Sequence, residues 1–278
     1  MEATNNKEYD VIEIGSKYTS DYRVYPRKDG NIISPFHDII THNEDGTYNC
    51  INEIPRFENA KFEVSKEDEF NPIKQDVKKD KVRFIKNIFP TKGYPANYGA
   101  FPRTFEDPKI LDKFCNALGD NDPLDCVDIS NVTKEVGSVY KAKVLGCLAM
   151  LDGGEADWKI IVIDVKDCIA DKVNDLCDVK KHFPGFLENL FAWFRDYKKP
   201  DGKPENSFAL NGEYQNAEFA KNIVKEASKN YEDFVKKGGD NKICLKSSLK
   251  GDSFEVLKKN DAKEGPVPDF ANHFYFSK

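Results

Sequence analysis

Val139-Tyr140-Lys141-Ala142-Lys143-Val144-Leu145-Gly146-Cys147-Leu148-Ala149-Met150-Leu151 runs through Asp152-Gly153-Gly154-Glu155-Ala156-Asp157 into Trp158-Lys159-Ile160-Ile161-Val162-Ile163-Asp164-Val165. Two strongly apolar stretches rich in Val, Ile and Leu flank a turn-prone acidic segment, the pattern of two strands joined by a loop. Strands are also expected at 48–54, 61–64, 81–85 and 124–129, so the chain reads as strand up to about residue 165. Beyond it the period changes. Leu187, Leu190, Phe191 and Phe194, and then Ala220, Ile223, Val224, Ala227 and Phe234, follow a 3.6-residue repeat and predict two helices. Pro200 is expected to stop the first and Gly238-Gly239 the second. Strands followed by helices, without βαβ alternation, predict an antiparallel barrel with helices packed outside it. The charged run 66–81 reads as a solvated connection.

Composition narrows the class. With 39% hydrophobic and 12% aromatic residues in 278, the chain can bury a sizeable core. A formal charge of −6 argues against a nucleic-acid partner, although a local basic pocket is compatible with it. The 7 cysteines show no CxxC spacing and read as reduced, mostly buried thiols. The polar N-terminus has no apolar signal region and no 18-residue apolar run occurs, so a cytoplasmic protein with no membrane partner is expected.

The chemistry starts at Asp120-Asn121-Asp122-Pro123-Leu124-Asp125. Two carboxylates roughly 4 Å apart repel by about 4 kcal/mol at an effective dielectric of about 20, so a convergent trio calls for protons or a cation. An all-oxygen donor set suits a hard ion such as Mg²⁺ or Ca²⁺. Asp152 and Asp157 in the acidic loop form a second cluster. Strand alternation puts Lys61 and Glu63 on one face and turns Arg83 away from the core. Arg83, with Lys159, Tyr197 and Lys198, forms a candidate phosphate-binding wall. Tyr94 and Tyr98, in a turn-prone stretch, are phenols able to donate to a phosphate oxygen. An EF-hand is excluded because Asp125 stands where the loop needs Gly, and neither a GxxxxGK[ST] nor a GxGxxG loop is present. An aspartyl nucleophile or a DxD glycosyltransferase lacks the preceding apolar strand. His37, His42, His182 and His273 are too scattered to form a metal triad.

The sequence closely resembles the soluble inorganic pyrophosphatases of family I in their eukaryotic form. Gly119 to Asp125 carries the family's D-x-D-P-x-D signature. Its companions are Glu53-Ile54-Pro55-Arg56, Asn59 to Glu63, Arg83-Phe84, Gly93-Tyr94, Asn97-Tyr98-Gly99, Asp152, Asp157-Trp158-Lys159, Tyr197-Lys198 and Asp201 to Asn206. The likeness is clear over 22–206 and fainter to the end. It implies one domain, mainly β with an α+β organisation: a five-stranded OB-like barrel with packed helices, a core at about 22–236, an N-terminal arm at 1–20 and a C-terminal extension at 238–278. It also implies a homodimer and Mg²⁺-dependent hydrolysis of inorganic pyrophosphate to two phosphates. The resemblance assigns Asp120, Asp125 and Asp157 to a first metal, with Asp125 bridging to a second, and Asp152 and Glu63 to metals arriving with substrate. Asp122 is implied as the proton acceptor and Tyr94 as the proton donor. Lys61, Arg83, Lys159, Tyr98, Tyr197 and Lys198 are implied in substrate binding and Glu53 in support behind them. Two rivals stay open: a broader phosphoanhydride hydrolase, and a silent cation-binding subunit.

Overall fold

The computed structural model describes residues 8–240, 242–254 and 263–276. Its main strands are β1 (Tyr9–Ile14), β2 (Arg23–Lys28), β3 (Tyr48–Ile54), β4 (Phe62–Val64), β5 (Ile73–Gln75), β6 (Asn97–Ala100), β7 (Asp125–Asp128), β8 (Val139–Asp152) and β9 (Glu155–Asp164). The helices are α1 (Leu176–His182), α2 (Phe186–Asp196) and α3 (Ala217–Lys236). The protein is mainly β, with few helices.

Pairing of β3, β6, β7, β9 and β8 runs from each strand to the next, and β8 returns to pair with β3. The sequence pattern predicts antiparallel neighbours throughout. One pair differs: β7 lies parallel to β9, with Asp125 opposite Lys159. That register brings residues from distant stretches side by side. A second sheet orders β1, β2, β5 and β4, all antiparallel.

Alternation on β8 and β9 divides their side chains between two cores. Leu148, Met150, Ile161 and Ile163 join Ile51, Ile54, Phe62 and the α2 residues Leu187, Leu190, Trp193 and Phe194. Cys147, Ala149, Ile160 and Val162 face the other way, against Ala220, Ile223 and Val224 of α3. Both faces are covered, which is why these strands read as continuous apolar runs. Each fully buried Ile or Leu contributes about 1.5–3 kcal/mol relative to exposure.

Several local expectations change. The acidic segment after Leu151 is a two-residue turn, Gly153-Gly154, because Asp152 still belongs to β8 and Asp157 and Lys159 belong to β9. Only Lys81 and Val82 of the 81–85 stretch form strand. The 66–81 run is no solvated connection. It contains β5, with Phe70 and Ile73 fully buried, because its apolar residues enter the core one at a time between charges. Pro200 sits inside a later 3₁₀ turn, and α2 has already ended at Asp196. Gly238 and Gly239 do end α3: both have positive φ, and their N–H groups donate to Val235 and Phe234 carbonyls at 3.0 Å.

Four cysteines, Cys50, Cys115, Cys126 and Cys147, are buried as expected, whereas Cys168 and Cys177 are exposed. His37 is a buried structural histidine, while His273 is exposed and pairs with Asp269. Neither terminal stretch is loose where described. β1 edges the second sheet, and Phe274–Tyr275 pairs in parallel with Asn87–Ile88.

Candidate active site

A cavity of about 200 Å³ opens where β3, β4, β6, β7 and the β8–β9 hairpin converge. Glu53, Lys61, Glu63, Tyr94, Tyr98, Asp120, Asp122, Asp125, Asp152, Asp157, Lys159 and Tyr197 all line it. Arg83 and Lys198 do not: Lys198 stands one contact away and Arg83 two. Arg83 is bonded to Asp76, whose carboxylate also lies 3.5 Å from the Lys61 ammonium. Lys198 donates to both oxygens of Asp152.

Period-two geometry carries Asp157 and Lys159 on one face of β9, 5% and 2% exposed respectively. The Lys159 ammonium contacts both the Asp157 and Asp125 carboxylates and donates to the Tyr98 hydroxyl at 2.9 Å. Tyr98 in turn donates to Asp125. Lys61, immediately before β4, pairs with Glu63 on that strand at 2.8 Å, so the two share a face as alternation predicted. Glu53 is buried on β3 and accepts from the Val64 N–H at 2.7 Å, which ties the two sheets together at the cavity. Tyr94 is also buried, its ring 5.0 Å from that of Trp193, and Tyr197 stacks on the same indole at 4.8 Å.

The fit to a cation is visible in the electrostatics. One carboxylate oxygen from each of Glu106, Asp120 and Asp157 lies within 4.8 Å of the other two. Burial, followed by repulsion from Asp120 and Asp157, pushes the Glu106 carboxyl well above the usual range. Burial and then Asp157 do the same to Asp120. Asp157 rises to about 7 because burial outweighs the nearby Lys159. At Asp152 burial is overcome by the Lys198 hydrogen bond and charge, which hold the carboxyl low. Burial also lifts the Tyr94 phenol to about 12, so it stays protonated at neutral pH and can donate. Glu106 Oε2 is buried without a hydrogen-bond partner. An orphaned buried carboxylate oxygen beside two more carboxylates, with no thiolate or imidazole among them, fits a hard divalent ion.

Glu106, Lys66 and Asp76 are not expected from the sequence. Glu106 reaches the cluster through close backbone approach: a Cβ on Gly119 would lie 2.4 Å from the Glu106 carbonyl, so only glycine lets the two segments pass. Lys66 pairs with Asp122 at 2.5 Å. Asp76 meets both Lys61 and Arg83, and its carboxylate orders the two cations relative to each other.

A family model described as inorganic pyrophosphatase matches residues 50–232. The chain belongs to the inorganic pyrophosphatase family. The family's inorganic pyrophosphatase from Encephalitozoon cuniculi is 46% identical over 274 residues, covering 97% of this chain and 99% of that one. That of Emericella nidulans is 50% identical over 251 residues, covering 89% and 88%. Among solved structures, the inorganic pyrophosphatase from Schistosoma japonicum superposes with a TM-score of 0.90 at 41% identity, covering 96% of this chain and all of that one. This family member is an enzyme, a hydrolase acting on diphosphate. No helix among the described residues is long and apolar enough to cross a membrane.

Proposed function

We propose that the protein hydrolyses inorganic pyrophosphate to two phosphates with Mg²⁺, by in-line attack of water on one phosphorus. The observation that carries this reading is the single cavity in which Asp120, Asp125, Asp152 and Asp157 face Lys61, Lys159 and Tyr94. Acidic and basic groups share one small space. Asp120, Asp125 and Asp157 would hold the first ion, with Asp125 shared with a second; Glu106 stands close enough to join this set or to hold its water. Asp152 and Glu63 would hold ions that enter with substrate. Bound divalent ions neutralise the carboxylates and lower the pKa of water held between them.

The chain's own groups supply the rest. Asp122, half exposed at the cavity mouth, accepts the proton of the attacking water. Lys61, Arg83, Lys159, Tyr197 and Lys198 grip phosphoryl oxygens and offset charge on the departing phosphate, the large electrostatic contribution in phosphoryl transfer. Lys198 reaches the substrate once its hold on Asp152 is exchanged for a phosphate oxygen. Tyr94 donates a proton to the leaving group, while Tyr98 fixes Asp125 and orients substrate. Glu53 holds β4 against β3 beneath them through the Val64 N–H.

We read the returning strand path as the five-stranded OB-like barrel of a single catalytic domain, and the molecule as a cytoplasmic homodimer. Phosphate release from pyrophosphate by wild-type and Asp122→Asn enzyme tests the mechanism. The variant should bind Mn²⁺ almost normally and turn over about 10²- to 10⁴-fold more slowly, the range for loss of a general base. Unchanged turnover removes Asp122 from that role.

A further inference from the structure

Asp122 stands in a turn and its side chain is 49% exposed, so packing alone does not fix the direction of its carboxylate. One cation meets it among the described residues. The Lys66 ammonium lies 2.5 Å from Asp122 Oδ1 and donates to the Asn121 carbonyl at 2.9 Å, so it grips both the side chain and the backbone of the turn. Lys66 is not part of the cavity wall, and its ammonium meets the Asp122 carboxylate and the Asn121 carbonyl.

A lysine on a flexible four-carbon stem fixes a partner only if its own backbone is fixed. Here a buried network does so. The Lys66 carbonyl accepts from the Cys244 N–H at 2.7 Å, which belongs to the segment after α3. The Cys244 carbonyl accepts from the Asn71 side-chain amide at 3.2 Å and lies 2.9 Å from His37 Nε2. His37 Nδ1 is 2.8 Å from the Tyr231 hydroxyl of α3, and the Asn71 side-chain oxygen accepts from the Ser34 hydroxyl at 2.7 Å. This geometry ties the C-terminal segment to the proton acceptor through one residue.

We propose that Lys66 is a positioning residue that aims the Asp122 carboxylate at the attacking water, held in place by the C-terminal segment at Cys244. The inference rests on Asp122 being the proton acceptor, as proposed above. It needs no change in metal binding, because Lys66 contacts none of Asp120, Asp125 or Asp157.

The test measures pyrophosphate hydrolysis and Mn²⁺ affinity for Lys66→Met, Lys66→Arg, Asp122→Asn and the double variant Lys66→Met/Asp122→Asn. Lys66→Met should lower kcat roughly 10- to 100-fold, the scale of an ångström-sized misplacement, with KM and Mn²⁺ affinity unchanged within about twofold. Lys66→Arg should recover most of the loss, since a cation of similar reach is restored. In the Asp122→Asn background, Lys66→Met should cost nothing further, the signature of two residues acting as one unit. A wild-type kcat in Lys66→Met, or an equal loss in both backgrounds, overturns the proposal. If Asp122→Asn alone turns over normally, the proton-acceptor reading itself has failed, whatever Lys66 does.

Discussion

Lys159 presses its ammonium against the carboxylate of Asp157, two positions earlier on the same strand face, and both side chains are buried. The same ammonium meets Asp125, so one lysine offsets a carboxylate group that also includes Asp120 and Glu106. Removing one partner of a buried ion pair costs about 3–5 kcal/mol because the other charge is left uncompensated. Lys159→Met should therefore lose roughly 3 kcal/mol of stability in chelator, and distinctly less in saturating Mg²⁺, where bound cations take over the compensation. Urea unfolding under the two conditions measures this. Equal losses would show that lysine and metal do not share the same charges.

His37 provides a pH-dependent contribution away from the site. Burial pushes its imidazole from 6.5 down to about 4, against the smaller opposing effect of the Cys244 carbonyl. A base with a depressed folded pKa binds its proton more weakly in the native state, so stability from this group is complete above the unfolded pKa. It is lost as pH falls from about 6.5 to about 4. Between pH 7 and pH 5 the linkage relation gives a loss of about 2 kcal/mol from this residue. Urea unfolding at both pH values should show a correspondingly smaller pH effect in His37→Gln. An identical pH effect in the variant would contradict the assignment.

Calcium separates charge from geometry. It carries the same charge as Mg²⁺ but takes about 6–8 oxygen ligands at roughly 2.3–2.6 Å, where Mg²⁺ demands a near-octahedral set at about 2.0–2.1 Å. The cluster should bind Ca²⁺ yet turn over pyrophosphate poorly, and Ca²⁺ added to Mg²⁺-loaded enzyme should inhibit. Full activity with Ca²⁺ alone would show that cation size does not position the water.

Legibility in the sequence follows distance along the chain. Asp120, Asp122 and Asp125 form a local string, and Asp152 with Asp157 sits across a two-residue turn, so both clusters stand out in the amino-acid order itself. Strand alternation alone places Lys61 and Glu63 together. Glu106 carries no such signal: with Asp107 it is one of two acids in a loop between Pro102 and Pro108, and it meets Asp120 only because Gly119 has no side chain. Lys66 and Asp76 are hidden in a run whose average charge masks the buried Phe70 and Ile73. The parallel pairing of β7 with β9 is a long-range choice that local periodicity does not encode, although it sets Asp125 opposite Lys159.

Phosphate release from pyrophosphate, followed as free Mg²⁺ is raised from zero in a chelator-buffered solution, tests most directly whether this acidic pocket works by gathering cations. The rate should be negligible with chelator in excess and should climb more steeply than a single binding event allows, as expected if the proposed site takes up more than one ion. A full rate in excess chelator would contradict the account, leaving the buried acids without the role given to them here.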